Sequence, residues 1–184
     1  MKRQIRSSVF ETNSSSTHSI VISKKPVTVG NRIYFGIGDF GWENDRVSIV
    51  DYLYTAILSQ EDANELLERL KGILDSRDIE YEFAEPLYYE SSDGTYKWLD
   101  NGHIDHDDET REFVYAVLYN EDLLMRCLFG NSCVYTGNDN QDCEPDGCNI
   151  AYQYVYVVDN GGRYVQVKNP YHDPDNYDYF YKGN

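Results

Sequence analysis

The sequence predicts an α+β domain in which strands near both ends of the chain form a mixed or antiparallel sheet, with helices between them. Three observations support this fold class. Runs of β-branched and aromatic residues occur on both sides of a middle region with apolar residues at helical spacing. Near the C-terminus, DNGG joins two such runs, as in a β-hairpin. We expect a single α+β domain over residues 1–168 and a Tyr- and Asp-rich C-terminal arm over residues 169–184.

The predicted strands follow from local patterns of apolar residues. HSIVIS (His18–Ser23) and NRIYFGIG (Asn31–Gly38) form the first two, and KKPVTVG between them is a loop or a hairpin connection. IEYEF (Ile79–Phe83) alternates between apolar and charged residues, and SCVYTG begins a short strand at Ser132. IAYQYVYVV and RYVQVK flank the DNGG turn. These runs place strands at both ends of the domain.

Helices are predicted in the middle of the chain. Val47–Ser59 has moderate helical spacing, and Ser59 is expected to cap a second helix with Asp62 in a variant of the capping box. That second helix carries a stripe of apolar residues, which we assign to the core: Ala63, Leu66, Leu67, Leu70, Ile73 and Leu74. Asp107–Asn120 is also predicted helical, and Asn120 is expected to cap a final short helix.

The charge of the chain is its strongest global property. The 184 residues carry a net charge of −16, with +5 in residues 1–36 and −21 in residues 37–184. Such a surface repels nucleic acid and anionic membranes, so we expect no strong direct DNA binding. It attracts cations or a basic protein surface. The 18 tyrosines suit surfaces that are partly apolar and partly hydrogen-bonding.

The sequence shows no targeting or membrane signal. No stretch reaches the roughly 18 apolar residues of a membrane-spanning helix. The basic start MKRQIR is followed by polar SSVFETNSSST rather than by the apolar run of a signal peptide. These features predict a cytoplasmic protein, and the four cysteines are then expected to be reduced thiols.

Three short motifs have weak binding signatures. Glycines 36, 38 and 41 have the GxGxxG spacing, but polar WEND follows instead of a helix, so we predict a glycine-rich turn rather than a phosphate site. Cys127, Cys133, Cys143 and Cys148 are spaced too irregularly for a zinc ribbon. NDNQDC at residues 138–143 lacks the glycine and the glutamate of a calcium loop. The sequence therefore predicts no metal and no cofactor.

Two polar stretches contain the residues for a catalytic site. In GHIDHDDE, His103, Asp105 and His106 combine imidazole and carboxylate, as in metal or acid–base sites, although a helix N-terminus has the same composition. In FETNSSSTHS, an extended backbone would place Ser16 and His18 on one face. A Ser/Thr turn leading into the strand is the favoured alternative. A catalytic site would require His18 to lie near the HIDH segment.

Four stretches together resemble a known group of proteins: FETNSSSTHS, FGIGDFGWE, GHIDHDD and LFGNSCVYTGNDN. In this order, over about residues 1–140, they resemble a family of small proteins encoded by phages and mobile elements of gut Firmicutes, mostly without assigned function. Phage anti-CRISPR inhibitors of type II effector nucleases include members that look similar. The resemblance implies that the opening motif, HIDH and TGNDN belong together, and it transfers no catalytic residues.

Our first hypothesis is therefore an acidic phage-encoded inhibitor that binds an RNA-guided type II effector nuclease, with its guide RNA, in the bacterial host cell. Its expected contacts are carboxylates: Asp105, Asp107, Asp108, Glu109, Asp139, Asp142, Glu144, Asp146, Asp173, Asp175 and Asp178. The alternative is a metal-dependent hydrolase or nuclease using the His and Asp motifs, with His18, His103, Asp105 and His106 and with Asp139 as a further candidate. A third hypothesis is a structural or regulatory phage protein.

Overall fold

The computed structural model describes residues 16–41, 45–90, 92, 94, 97–105, 110–138, 154–169 and 172–182. The described helices are α1 (Ile49–Leu58), α2 (Ala63–Ser76), α3 (Arg111–Leu118) and α4 (Glu121–Phe129). The described strands are β1 (Ser16–Ser23), β2 (Arg32–Phe35), β3 (Asp39–Phe40), β4 (Asp45–Val47), β5 (Glu80–Phe83), β6 (Tyr88–Glu90), β7 (Lys97–Leu99), β8 (His103–Ile104), β9 (Ser132–Asn138), β10 (Tyr154–Val158), β11 (Tyr164–Lys168) and β12 (Tyr177–Lys182).

The main sheet has four strands in the order β12-β1-β9-β4, and every neighbouring pair is antiparallel. Its two central strands are β1, which begins the described part of the chain, and β9, which has the sequence SCVYTGN. The outer strand β12 comes from the C-terminus, and the helices lie between these strands in sequence. The predicted α+β class, with a sheet built from both ends of the chain, is confirmed.

The core lies between one face of this sheet and the helices. Ile20 and Ile22 of β1 and Val134 of β9 belong to one large apolar cluster with side chains of all four helices. Helix α1 is buried on nearly all sides, with Tyr52, Leu53 and Ile57 inaccessible to solvent. Four of the six residues of the predicted α2 stripe are buried, Leu66, Leu70, Ile73 and Leu74, and Ala63 and Leu67 are half-buried.

Four two-stranded sheets surround the main sheet among the described residues. Two of them are parallel, β2 with β5 and β3 with β8, and neither pairing follows from local sequence. KKPVTVG is therefore a connecting loop and not a hairpin, because β2 pairs with β5 rather than with β1. The other two are antiparallel ribbons, β6 with β7 and β10 with β11. The second is the hairpin that DNGG predicted.

Of the two helix caps predicted from the sequence, the cap of α4 is confirmed and the cap of α2 is wrong. The Asn120 side chain accepts a hydrogen bond from the Leu123 backbone N–H at 3.1 Å, so its predicted capping of α4 is confirmed. Ser59, in contrast, ends α1, where its hydroxyl donates to the Thr55 carbonyl at 3.1 Å. The N-cap of α2 is Asp62, whose side chain makes no capping bond. The predicted Ser59 cap is wrong because α1 continues to Leu58.

The C-terminal segment is part of the sheet rather than an arm apart from the domain. Strand β12 pairs along β1 from His18↔Lys182 to Ser23↔Tyr177. Phe180 reaches the core, where its ring centroid lies 5.4 Å from that of Phe113. Prolines and Asn/Asp residues in the preceding turn resemble a disordered tail, but the alternating aromatic run YDYFYK that follows has a long partner strand.

No helix in the described part of the chain is both long enough and apolar enough to cross a membrane.

Candidate functional site

The His18 side chain lies at a buried junction of several segments. Its ring is inaccessible to solvent, and its two nitrogens lie 2.9 Å from the Tyr52 hydroxyl and 3.2 Å from the Gly41 carbonyl oxygen. Because a carbonyl only accepts, Nε2 carries the proton and donates to Gly41, while Nδ1 accepts from Tyr52. His18 therefore connects β1, helix α1 and the loop after β3.

Parts of all four resembling stretches meet at this junction. His18 is opposite Thr136 in the β1–β9 pairing, and β3, just before Gly41, pairs with the two-residue strand His103–Ile104. The Asp105 backbone N–H donates to the Phe40 carbonyl at 3.2 Å. The side chains are nevertheless in different environments, because His18 is buried and His103 is exposed. The junction joins these segments through backbone and core contacts.

The glycine-rich loop at residues 36–41 is held by helix α1. The Gly36 N–H donates to the Asp51 carboxylate at 2.8 Å, and the Gly38 N–H donates to the Thr55 hydroxyl at 3.2 Å. A phosphate would need these amides, but a carboxylate and a hydroxyl already accept from them. A Cβ at Gly36 would lie 2.8 Å from the Asp51 carboxylate, which explains the glycine there. These contacts give Gly36 and Gly38 a structural role.

Only some of the candidate catalytic residues lie in the part of the chain that the structure describes. Among these residues, no three His, Cys, Asp or Glu side chains are grouped so that they could hold a metal ion. His106 and Asp139 lie outside the described residues. Of the remaining candidates, His18 is buried and bonded into the core, Asp105 is half-buried, and His103 is exposed. The geometry of His18 is that of a structural residue.

The two described cysteines lie on opposite sides of the main sheet. Cys127 belongs to the large core cluster with Ile20 and Val134, whereas Cys133 packs with Val21 on the other face. Neither of these two cysteines forms a disulfide, and burial raises the pKa of Cys127 well above its usual range. A single metal ion cannot bind both thiolates across the sheet. Cys143 and Cys148 lie outside the described residues.

We accordingly expect protein purified without chelator to contain far less than one zinc per chain. The reason is that two of the four cysteines are separated by the sheet and one of them resists ionisation, while zinc binds thiolates. Elemental analysis by mass spectrometry measures this. Near-stoichiometric zinc that survives dialysis would contradict the expectation.

An acidic stretch of the chain includes an exposed ribbon. We use the name acidic ribbon for the sequence stretch 85–109, of which the structure describes residues 85–90, 92, 94 and 97–105; the stretch contains eight Asp and Glu residues and one Lys, a net charge of −7. Strands β6 and β7 form its described hairpin, in which Leu87, Tyr88 and Tyr89 are exposed. Tyr89 is 60% exposed. These apolar side chains therefore lie among carboxylates at the surface.

Asn101 fastens the base of the acidic ribbon. Its side chain accepts from the Leu87 N–H at 2.9 Å and donates to the Glu85 carbonyl at 3.0 Å. The Asp100 N–H donates to the Leu87 carbonyl at 2.7 Å. The base of the ribbon is therefore held together by the Asn101 side chain and by one backbone hydrogen bond.

The predicted acidic contacts have different roles where the structure describes them. Asp178 forms ion pairs with Arg126 at 2.7 Å and Lys24 at 3.4 Å, so its charge is neutralised within the fold, and we remove it from the expected contact. Hydrogen bonds from the Asn176 side chain and the Asp175 N–H lower the pKa of Asp173, which closes a turn. Asp175 is exposed. Asp105 is half-buried. The other seven candidates lie outside the described residues: Asp107, Asp108, Glu109, Asp139, Asp142, Glu144 and Asp146.

A second exposed ribbon differs from the first in charge. We call Tyr154–Lys168 the tyrosine hairpin; its only acid is Asp159, and Arg163 and Lys168 give it a net charge of +1. Tyr154, Tyr156, Val158 and Tyr164 are all exposed. The sequence predicted the hairpin itself. It did not predict that both ribbons stand outside the core, because periodicity shows which residues share a face but not whether another element covers it.

Comparisons of this chain with protein-family models, with curated proteins and with solved structures find no match. The family resemblance noted in the sequence stays a prediction. The described residues define an α+β domain with a structural histidine at its centre and two exposed ribbons of different charge.

Proposed function

We propose that this chain is a binding protein whose acidic surface occupies a basic, nucleic-acid-binding groove of another protein. We further propose that this partner is an RNA-guided type II effector nuclease with its guide RNA, and that binding blocks DNA cleavage. The observation that carries the binding role is the acidic ribbon, where exposed aromatic and aliphatic side chains lie among carboxylates. The identity of the partner rests on the sequence resemblance.

Charge supports a basic groove as the docking site. Duplex DNA presents one negative charge per roughly 1.7 Å of its axis, and grooves that bind it are lined with Lys and Arg. The acidic ribbon concentrates a charge of −7 in 25 residues, which is a large part of the net charge of −16. The field that recruits DNA to such a groove would therefore also steer this ribbon to it.

The exposed apolar side chains supply a second contribution to binding. Tyrosine buries a large ring at low cost in conformational entropy and keeps a hydroxyl for hydrogen bonding, so it is enriched at protein interfaces. In a groove for nucleic acid, Tyr88 and Tyr89 would lie where bases stack. Leu87, on the same ribbon, is 53% exposed and would add apolar contact area.

Reversing two charges of the acidic ribbon is expected to weaken binding to the nuclease by about tenfold or more at low salt. The variant is Glu85→Lys with Glu90→Lys, because both side chains are exposed beside the apolar residues. The matched control is Glu61→Lys with Glu65→Lys, which changes the net charge equally around the start of α2. Binding and inhibition of DNA cleavage are measured against salt concentration.

The two double variants separate a local contact from a general effect of charge. If both weaken binding equally, the acidic ribbon is not the contact surface, and net charge alone explains the binding. If the parent chain neither binds nor inhibits any type II effector nuclease, the proposed partner is wrong. A quadruple reversal extends the test to the last residues of this acidic sequence stretch, with Asp105, Asp107, Asp108 and Glu109 all changed to Lys.

A further inference from the structure

We infer that the turn of the tyrosine hairpin is a site of spontaneous deamidation, at which Asn160 loses its side-chain amide after attack by the Gly161 backbone nitrogen. The sequence contains two Asp–Asn–Gly triplets, residues 100–102 and 159–161, so the local chemistry is the same at both. The fold gives the two triplets different surroundings. The first is held at the base of the acidic ribbon, and the second is open to the reaction. The inference does not depend on the proposed function.

An asparagine followed by glycine is reactive because its two reacting groups are close and unhindered. Glycine has no Cβ, so its backbone nitrogen can approach the side-chain carbonyl carbon of the residue before it. Both groups belong to one chain, which raises their effective concentration far above that of separate molecules. The reaction still requires a side chain that is free to rotate and a backbone that can adjust.

Asn160 meets the first of these requirements. It lies in the turn between β10 and β11 and is exposed. Its side chain makes no hydrogen bond with the described residues. The backbone bonds of the turn come from its neighbours, because the Asp159 N–H donates to the Arg163 carbonyl and the Gly162 N–H donates to the Asp159 carbonyl, both at 2.9 Å. Rotation of the Asn160 side chain therefore breaks no bond.

The attacking nitrogen of Gly161 lies beside a proton acceptor. Its N–H donates to the Asp159 carboxylate at 2.8 Å. Backbone hydrogen bonds from Arg163 and Gly161 lower the pKa of this carboxylate, so it is ionised at neutral pH. A base must lie within hydrogen-bonding distance of the proton that it takes. Asp159 has this position relative to Gly161.

The reaction balances with water as the only added reagent. The Gly161 nitrogen forms a bond to Asn160 Cγ, and its proton passes through the Asp159 carboxylate to the departing side-chain nitrogen. The Cγ–Nδ2 bond breaks and ammonia leaves, so the side chain and the backbone close into a succinimide ring. Water then opens the ring at the bond to Cγ, which gives aspartate, or at the bond to the backbone carbonyl carbon, which gives isoaspartate.

The first triplet is protected from the same reaction by its hydrogen bonds and its packing. The Asn101 side chain accepts from the Leu87 N–H at 2.9 Å and donates to the Glu85 carbonyl at 3.0 Å. Gly102 is buried, and a Cβ there would clash with the Ile37 side chain, so packing explains this glycine. Attack on Asn101 requires the base of the acidic ribbon to open first, and the free energy of that opening slows the reaction.

Deamidation changes both the charge and the shape of the tyrosine hairpin. A carboxylate replaces a neutral amide, which lowers the net charge of the hairpin from +1 to 0. Isoaspartate also adds one carbon atom to the backbone between Asp159 and Gly161. The Asp159 carboxylate then loses the geometry of its bonds to the Gly161 and Arg163 N–H groups, which are 2.8 and 3.0 Å long in the intact turn. Modified chains should therefore have a looser turn.

Peptide mapping by mass spectrometry, on folded chain incubated at mildly alkaline pH, tests the inference. We expect the peptide with Asn160 to gain the mass of one deamidation, and the peptide with Asn101 to react at least about tenfold more slowly. In urea that unfolds the chain, the two peptides should react at similar rates, because the fold is what protects Asn101.

Gly161→Ala is the matched variant at the reactive turn. It should slow the reaction at Asn160 about tenfold or more, because a Cβ hinders the attacking nitrogen. Gly162, at φ +74°, has the left-handed conformation that favours glycine, whereas Gly161 does not, so the turn can accept alanine at position 161.

Three results would reject the inference. Equal rates at the two asparagines in the folded chain would show that the fold does not control the reaction. A slower reaction at Asn160 than at Asn101 would show that the bond to Asp159 restrains the Gly161 nitrogen instead of taking its proton. An Asn101 peptide that stays slow in urea would show that the base of the acidic ribbon is not its protection.

Discussion

Replacing His18 by alanine is expected to lower the free energy of unfolding by about 3 kcal/mol or more. The substitution leaves a cavity at a fully buried position, and it removes the hydrogen bonds that His18 makes with the Tyr52 hydroxyl and the Gly41 carbonyl. Tyr52 is buried and Gly41 is half-buried, and losing a hydrogen bond is most costly at a buried group. Urea unfolding at constant pH, followed by circular dichroism, measures the change.

Tyr52→Phe is the matched partial change at the same junction. It keeps the ring in the core and removes the hydroxyl that donates to His18, so we expect a loss of about 1 kcal/mol. A catalytic His18 would behave differently, because its replacement would abolish an activity while leaving the unfolding free energy nearly unchanged. Such a result would contradict the structural role that the buried geometry assigns to His18.

Ending the chain at Asn176 is expected to lower the free energy of unfolding by about 4 kcal/mol or more. The truncation removes β12, which pairs along β1 over six residues from Ser23 to His18, and it removes Phe180 from its contact with Phe113. It also leaves β1 as an open edge, which favours aggregation. Urea unfolding and analytical sedimentation of the truncated chain measure these effects.

Two controls accompany the truncation. A chain that ends at Lys182 keeps all of β12, so its stability should equal that of the full chain. Phe180→Ala keeps the strand and removes the ring, with an expected loss of about 2 kcal/mol, and it remains informative if the truncated chain is insoluble. If removing residues 177–184 leaves stability unchanged, the C-terminus is an arm after all and not a strand of the sheet.

Local chemistry was enough to predict most of the elements. The period of the apolar residues located α2 and its buried stripe, and the side chain of Asn120 located the start of α4. DNGG located the turn between β10 and β11, because glycine is needed where φ is positive. Each of these features depends on residues within one or two turns of the chain. Sequence patterns of that length contain the necessary information.

Pairing between distant segments is visible only in the tertiary structure. The C-terminal strand β12 resembles a polar tail by composition, and only its register along β1 shows that it completes the sheet. The parallel pairs β2–β5 and β3–β8 are equally invisible to local patterns, since the residues that pair are far apart in sequence. The structural role of the glycine-rich loop likewise depends on a distant segment, because the Gly36 N–H donates to the Asp51 carboxylate of α1.

The sequence by itself determined the fold class, the acidic charge and the absence of a regular cysteine motif, because these depend on composition and on spacing along the chain. Only the tertiary structure decided which polar residues are structural and which surfaces are open. His18 was a candidate catalytic base only in the less favoured interpretation of FETNSSSTHS, and the structure shows it buried between β1, α1 and the loop at Gly41. Conversely, Tyr156 lies in a strand that the sequence predicted, but only the structure shows that no core cluster covers it among the described residues. Burial depends on contacts between distant segments, and spacing along the chain does not encode those contacts.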